Sequence, residues 1–143
     1  MIIIQILKFM VNNQKILLKF IQINKNVSWP KISYKYILSE SFIKEFQDKV
    51  NWADISYGQK LSENFIREFQ DKVNWYWISE YQNLSENFIR EFKNKVYWPD
   101  ISINQKLSEN FIREFQDKVD WYYISEYQKL TEKFKSEFKH KIK

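Results

Sequence analysis

The chain contains no cysteine, one glycine (Gly58), one alanine (Ala53), one histidine (His140) and two prolines (Pro30 and Pro99) among its 143 residues. Without cysteine there is neither a disulfide framework nor a thiolate metal site, and an intracellular, cytoplasmic location is the expectation that fits. A single glycine excludes a glycine-rich loop that cradles phosphate. His140 stands in a lysine-rich tail with no acidic cluster, so no metal or acid–base role is expected of it. Ser33, Ser56, Ser79, Ser102 and Ser125 recur in step without a partner histidine, and small size at a helix contact accounts for them. No catalytic, cofactor or metal site is expected, and the chain reads as non-enzymatic.

Long hydrophobic runs are missing as well. In the first 28 residues the longest uninterrupted apolar run is Met1–Ile4, and Gln5, Lys8, Asn12 and Lys15 interrupt the rest of the segment. A membrane span needs roughly 20 nearly continuous apolar residues. A secretory signal needs a cleaner apolar stretch and a small-residue cleavage site, so none is expected.

What the sequence does have is a repeat. Trp29, Trp52, Trp75, Trp98 and Trp121 open five copies of a 23-residue unit, W-x-x-I-S-x-x-Q-x-L-S-E-x-F-I-x-E-F-x-x-K-V-x, over residues 29–51, 52–74, 75–97, 98–120 and 121–143. Fixed self-similarity at this period marks a stacked array of small units, here a single repeat domain. The net charge of +5 divides unevenly: residues 1–28 carry +4, the five copies +1, −1, 0, −2 and +3. A groove that follows phosphates is basic along its length. The acidic middle argues against nucleic acid as the partner.

Each unit has two helix-start signals. Ser28, Asn51, Asn74 and Asp120 precede the tryptophan as N-caps, with Tyr97 the exception; Asp54 and Asp100 fall three residues on, near the capping-box position. Pro30 and Pro99 sit in the first turn, where a missing N–H costs little. The second signal is Ser39, Ser62, Ser85, Ser108 or Thr131, each followed by glutamate. Leu38/Ile43, Leu61/Ile66, Leu84/Ile89 and Leu107/Ile112 form hydrophobic staples around it. These signals predict a two-turn helix A and a helix B of about 11 residues, the second burying a stripe such as Phe65, Ile66, Phe69 and Val73. The other face of helix B carries i,i+4 pairs, Glu63–Arg67 and Glu68–Lys72 with their counterparts, expected as a solvated ladder. One continuous helix is excluded, because the tryptophans drift by roughly 140° per copy. The expected fold is all-α: a solenoid of two-helix repeats, five copies plus a degenerate N-terminal cap.

The ends differ from the middle. In copy five Lys135 replaces the staple isoleucine and Lys133, Lys139, His140 and Lys141 crowd helix B, while Phe134 and Phe138 remain apolar. In the leader, Phe20, Ile23 and Val27 roughly match the repeat stripe, so a helix capping the array is expected. Met1–Leu7 can also be read as a strand or a tail. An undocked leader leaves an apolar patch, a route to self-association.

The recurring tryptophans are expected in the core, and Gln59, Gln82, Gln105 and Gln128 as buried amides that satisfy carbonyls between helices. The variable positions are the candidates for contact with partners. Copies three and five carry Tyr76, Trp77, Tyr81 and Tyr122, Tyr123, Tyr127, where copies two and four carry Ala53, Asp54, Gly58 and Pro99, Asp100, Asn104. Residues 52–97 and 98–143 thus look like a duplicated pair, with two aromatic clusters on one edge. Exposed Tyr and Trp are typical interface anchors; packing against the neighbours' Pro or Ala is the other reading.

The stretch LSENFIREFQDKVNWYWISEYQ resembles tandem repeats in proteins of unknown function encoded by giant DNA viruses of the mimivirus kind. The resemblance covers residues 29–143, rests on the W-x-x-I-S and L-S-E-x-F-I-x-E-F cores, and implies a viral origin without an activity. The function expected from the residues is a scaffold for protein–protein interaction. The alternatives are a single-stranded nucleic-acid-binding array that stacks bases on aromatics, or peripheral membrane attachment through the leader.

Overall fold

The computed structural model describes residues 14–19, 21–24 and 26–142, and among them every regular element is helical. The fold is all-α, a helical-repeat solenoid of 23-residue helix pairs. Its elements are α1 (residues 14–19 and 21–23), α2 (Trp29–Lys35), α3 (Glu40–Glu45), α4 (Trp52–Gly58), α5 (Glu63–Glu68), α6 (Trp75–Tyr81), α7 (Glu86–Glu91), α8 (Trp98–Asn104), α9 (Glu109–Glu114), α10 (Trp121–Tyr127) and α11 (Glu132–Glu137). The chain divides into two compact units, Met1–Gln59 and Lys60–Lys143, with the boundary inside copy two.

Helix A starts and ends where the residue pattern places it. Asn51 Oδ1 accepts from Ala53 N and Asp54 N, and Asn74 and Asp120 repeat the arrangement; Ser28 and Tyr97 cap without a side-chain bond. The expected capping boxes do not form. The cap N–H that Asp54 or Asp100 would accept is already donated to the preceding copy's serine: Asn51 N to Ser33 Oγ at 2.9 Å, and Tyr97 N to Ser79 Oγ at 2.9 Å. Each of these serine hydroxyls also donates to its own tryptophan's carbonyl, as Ser79 Oγ does to Trp75 O at 2.7 Å. The serines are therefore two-sided connectors as well as small residues.

Helix B is shorter than expected. The predicted 11 residues break into a six-residue helix, Glu63–Glu68 in α5, and a separate turn closed by Lys72 N and Val73 N onto Phe69 O. The break is at the second phenylalanine of the stripe: Phe69 has φ −111° and ψ 27°, and Phe92, Phe115 and Phe138 match it. This kink lets phenylalanine and valine both turn inward, and Phe69 and Val73 are buried. The caps form as expected, with Ser62, Ser85, Ser108 and Thr131 each accepting from the N–H three residues on.

The core consists of the staple and stripe residues. Ile66, Ile78, Ile112 and Ile124 are fully enclosed, as are Phe111 and Phe134. The tryptophans are only half-buried, which corrects the core expectation. Trp75 lies 4.9 Å from Phe92 and 6.2 Å from Phe88 in its own copy, while Lys95 Nζ covers its outer face at 5.8 Å. Its indole N–H donates to Gln70 O at 2.9 Å. The indole thus roofs the phenylalanine pair, with one face toward solvent.

Successive copies are joined by a buried glutamine. Gln105 Oε1 accepts from Leu84 N at 3.0 Å, and Nε2 donates to Ser79 O at 3.1 Å and Gln82 O at 2.8 Å. Gln59 does the same for Leu38, Ser33 and Tyr36, and Gln128 for Leu107, Ser102 and Gln105. The amide satisfies the end of helix A in the preceding copy. Copy one has Tyr36 at this position, where α1 precedes it.

The ion pairs likewise run between copies. Arg67, Arg90 and Arg113 lie 3.6–3.9 Å from the i−4 glutamate but 2.7–2.8 Å from Glu91, Glu114 and Glu137 of the next copy. Glu91 and Lys95, expected to pair with each other, reach back instead, to Arg67 and to Asp71. The i−4 glutamates accept the next cap N–H, as Glu86 does from Ser108 at 2.6 Å. The expected solvated ladder is a set of rungs between copies.

In the first unit, α1 docks on copy one: Leu17 is buried and Gln14 Oε1 accepts from Ser39 Oγ at 2.8 Å. Ile23, matched to the stripe in the sequence, is 80% exposed, while Val27 is half-buried. Met1–Leu7 and the Phe20 side chain lie outside the described residues. No helix among the described residues is long and apolar enough to cross a membrane.

Candidate interaction surface

In the second unit α6 packs on α8 and α8 on α10, helix A against helix A. The inward side of each helix is used up by isoleucine, serine and the glutamine cap. In this unit the positions one, five and six after each tryptophan are exposed or half-buried, while position two is half-buried at Trp77 and Tyr123 and buried at Asp100.

Tyr76, Tyr81, Tyr122 and Tyr127 are 44–64% exposed, while Trp77 and Tyr123 are half-buried. In copy three the rings touch in a chain: Tyr76–Trp77 at 4.7 Å in an edge-to-face arrangement, then Trp77–Tyr81 at 5.8 Å. Copy five repeats it with Tyr122–Tyr123 at 5.3 Å and Tyr123–Tyr127 at 6.1 Å. Within each copy the predicted residues come together. Between the two clusters stand Pro99, Asp100, Ile103 and Asn104 of copy four.

Tyr97 and Glu80 of this surface escaped the sequence reading, and Asp100 was read only as a variable position near a capping box. Tyr97 stacks 5.4 Å from Tyr76 and is 48% exposed. It was visible as the one non-polar cap in the series. Asp100, expected near a capping box, is 8% exposed, and its Oδ2 has no hydrogen-bond partner; Glu80 Oε2 is also buried and unpartnered. Burial pushes the Asp100 carboxyl above the ordinary range, and the Glu80 charge adds to the rise. Glu80, and behind it Asp100, push the Tyr76 phenol up.

At the end of the stack the carboxylates behave in the opposite way. The Thr131 N–H holds Glu109 below the ordinary range and Arg113 does so for Glu137, while Glu137 raises Arg113. Among the described residues no group of three or more His, Asp or Glu stands where it could hold a metal ion. The first unit has a pocket of about 220 Å³ lined by Leu17, Val27, Ile32 and Tyr36, with Lys31 its one charged residue. That lining offers no paired acid and base.

No protein-family model, curated protein or solved structure matches the chain.

Proposed function

We propose that the protein is a non-enzymatic scaffold that binds a protein partner through the outer face of its A helices. One observation carries this reading: the invariant residues are consumed in joining copy to copy, while the aromatics that vary gather at the surface in two clusters. Glutamine, glutamate and arginine of the repeat each have a bond to a neighbouring copy, as Gln105, Glu86 and Arg90 illustrate, and Ser79 accepts from Tyr97 N at the cap of the next helix A. Tyr76, Trp77 and Tyr81 touch in a chain, as do Tyr122, Tyr123 and Tyr127. Rigid aromatic side chains presented on a fixed backbone are what interfaces use as anchors. The reading goes with a cytoplasmic location.

The test is differential capture from the native host cell with mass spectrometry. The baits are the wild-type chain and a Trp77→Ala/Tyr123→Ala variant of unchanged helical content. Proteins held by the first and lost by the second are the expected result. Identical sets would refute the assignment.

A further inference from the structure

We propose that the outer face of α6, α8 and α10 docks a lysine- or arginine-bearing segment of the partner protein, held by Glu80, Asp100 and Glu126 and by the tyrosine rings around them. The inference rests on the scaffold reading and adds the chemistry of the partner.

The charge pattern is the first support. These three seven-residue helices contain Glu80, Asp100 and Glu126 and no lysine or arginine, in a chain whose net charge is +5. The next basic residues, Lys106 and Lys129, come only after the glutamine caps. Arg67, Arg90 and Arg113 of helix B, in contrast, are each engaged by carboxylates.

The second support is the state of the carboxylates. Asp100 is more than nine-tenths buried with one oxygen unpartnered, and Glu80 has a buried unpartnered oxygen too. The charge that acts on Asp100 is that of Glu80, another carboxylate. From α10, which packs on the other side of α8, the acidic groups are the cap Asp120 and the exposed Glu126. Two carboxylates drawn together without a cation are costly, and an external cation offsets that cost.

The third is a precedent within the chain. The Arg90 guanidinium lies 5.0 Å over the Phe111 ring and bonds Glu114 at 2.8 Å; Arg113 lies 4.8 Å over Phe134 and bonds Glu137 at 2.8 Å. A ring and a carboxylate from the neighbouring copy hold each cation. The A-helix face has the same two parts, the Tyr76 and Tyr97 rings with Glu80 and Asp100, and lacks the cation. Steering by an acidic face would also speed encounter with a basic segment.

The test uses fluorescence anisotropy with a labelled dodecapeptide of alternating arginine and serine, and a counterpart with glutamine for arginine. The full chain is compared with a Glu80→Gln/Asp100→Asn/Glu126→Gln variant and with Glu132→Gln, a single charge change on the exposed side of α11. The expected result is binding of the arginine peptide, at least about tenfold weaker binding by the triple variant, and a change within about twofold for Glu132→Gln. Asp100→Asn alone should bind more weakly while unfolding at higher urea at neutral pH, so its loss of binding cannot be a folding defect. Equal affinity of wild-type and triple variant, or of the two peptides, overturns the proposal. If captured proteins depend on Trp77 and Tyr123 but not on the three carboxylates, the basic partner fails and the scaffold stands. If capture is indifferent to the aromatics, the scaffold itself fails.

Discussion

Replacing Gln105 by leucine is the sharpest probe of how copies are joined. Leucine has nearly the volume of glutamine, so little cavity is opened and the hydrogen bonds are isolated. Three buried backbone groups lose their partner: Leu84 N–H, Ser79 C=O and Gln82 C=O. Gln105 is 5% exposed, which leaves little access for a replacing water. An unsatisfied buried group costs about 1–3 kcal/mol, so losing the partner of all three should cost on the order of 3–9 kcal/mol. Whole domains have about 5–15 kcal/mol of stability, so this is a large fraction of the total. Gln128→Leu, at a half-buried site in copy five, should cost about half as much because water can reach the freed groups. The assay is urea unfolding followed by circular dichroism, with hydrogen exchange at the Leu84 amide as the local readout. A loss under about 1 kcal/mol with the Leu84 amide still protected would mean that glutamine does not join the copies.

The serine connectors should behave similarly on a smaller scale. Ser102→Ala leaves Asp120 N–H without the acceptor it has at 3.0 Å and should cost about 1–3 kcal/mol in the same urea assay. Acid should weaken the copy five seam. Glu109 and Glu137 lie below their ordinary value of 4.5, so their contribution is complete above that value and is lost as pH falls through the depressed values. Glu109→Gln should therefore lower the urea midpoint at neutral pH and leave it nearly unchanged in strong acid. Asp100 has the opposite sign. Its carboxyl is raised above 3.8, so its contribution is complete below that value and is lost as pH rises through the raised value. Asp100→Asn should accordingly raise the midpoint at neutral pH, with the gain vanishing toward the acid end of a pH series.

Much of the architecture was legible because it is local and repeated. The caps Asn51, Asn74 and Asp120, the Ser-Glu starts of helix B and the buried Phe65–Ile66 pair obey short-range rules, and five copies average out exceptions. Bonds between copies were harder to read. The residue repeat is the same whether Arg90 pairs with Glu86 or with Glu114, since both lie in equivalent frames; the backbone decides for Glu114. The same ambiguity hid the serine acceptors, which displace Asp54 and Asp100 from the capping-box role. The kink at Phe69 was missed because the hydrophobic stripe continues through it. At the surface the aromatic clusters stood out as variation among copies. The Glu80–Asp100 pair did not, because its members occupy different positions in different copies.

The central claim is a division of labour: invariant residues build the stack and the variable aromatics face outward. It is tested most directly by comparing Trp75→Ala and Trp77→Ala, two residues apart on α6, for loss of unfolding free energy. Trp75 contacts Phe88 and Phe92 and donates to Gln70 O, so its removal should cost about 2–4 kcal/mol, the lower part of the range for large aromatics because it is half-buried. Trp77, packed between Tyr76 and Tyr81, should cost under about 1 kcal/mol. Equal losses from the two substitutions would contradict the account, since Trp77 would then be as much a part of the stack as Trp75.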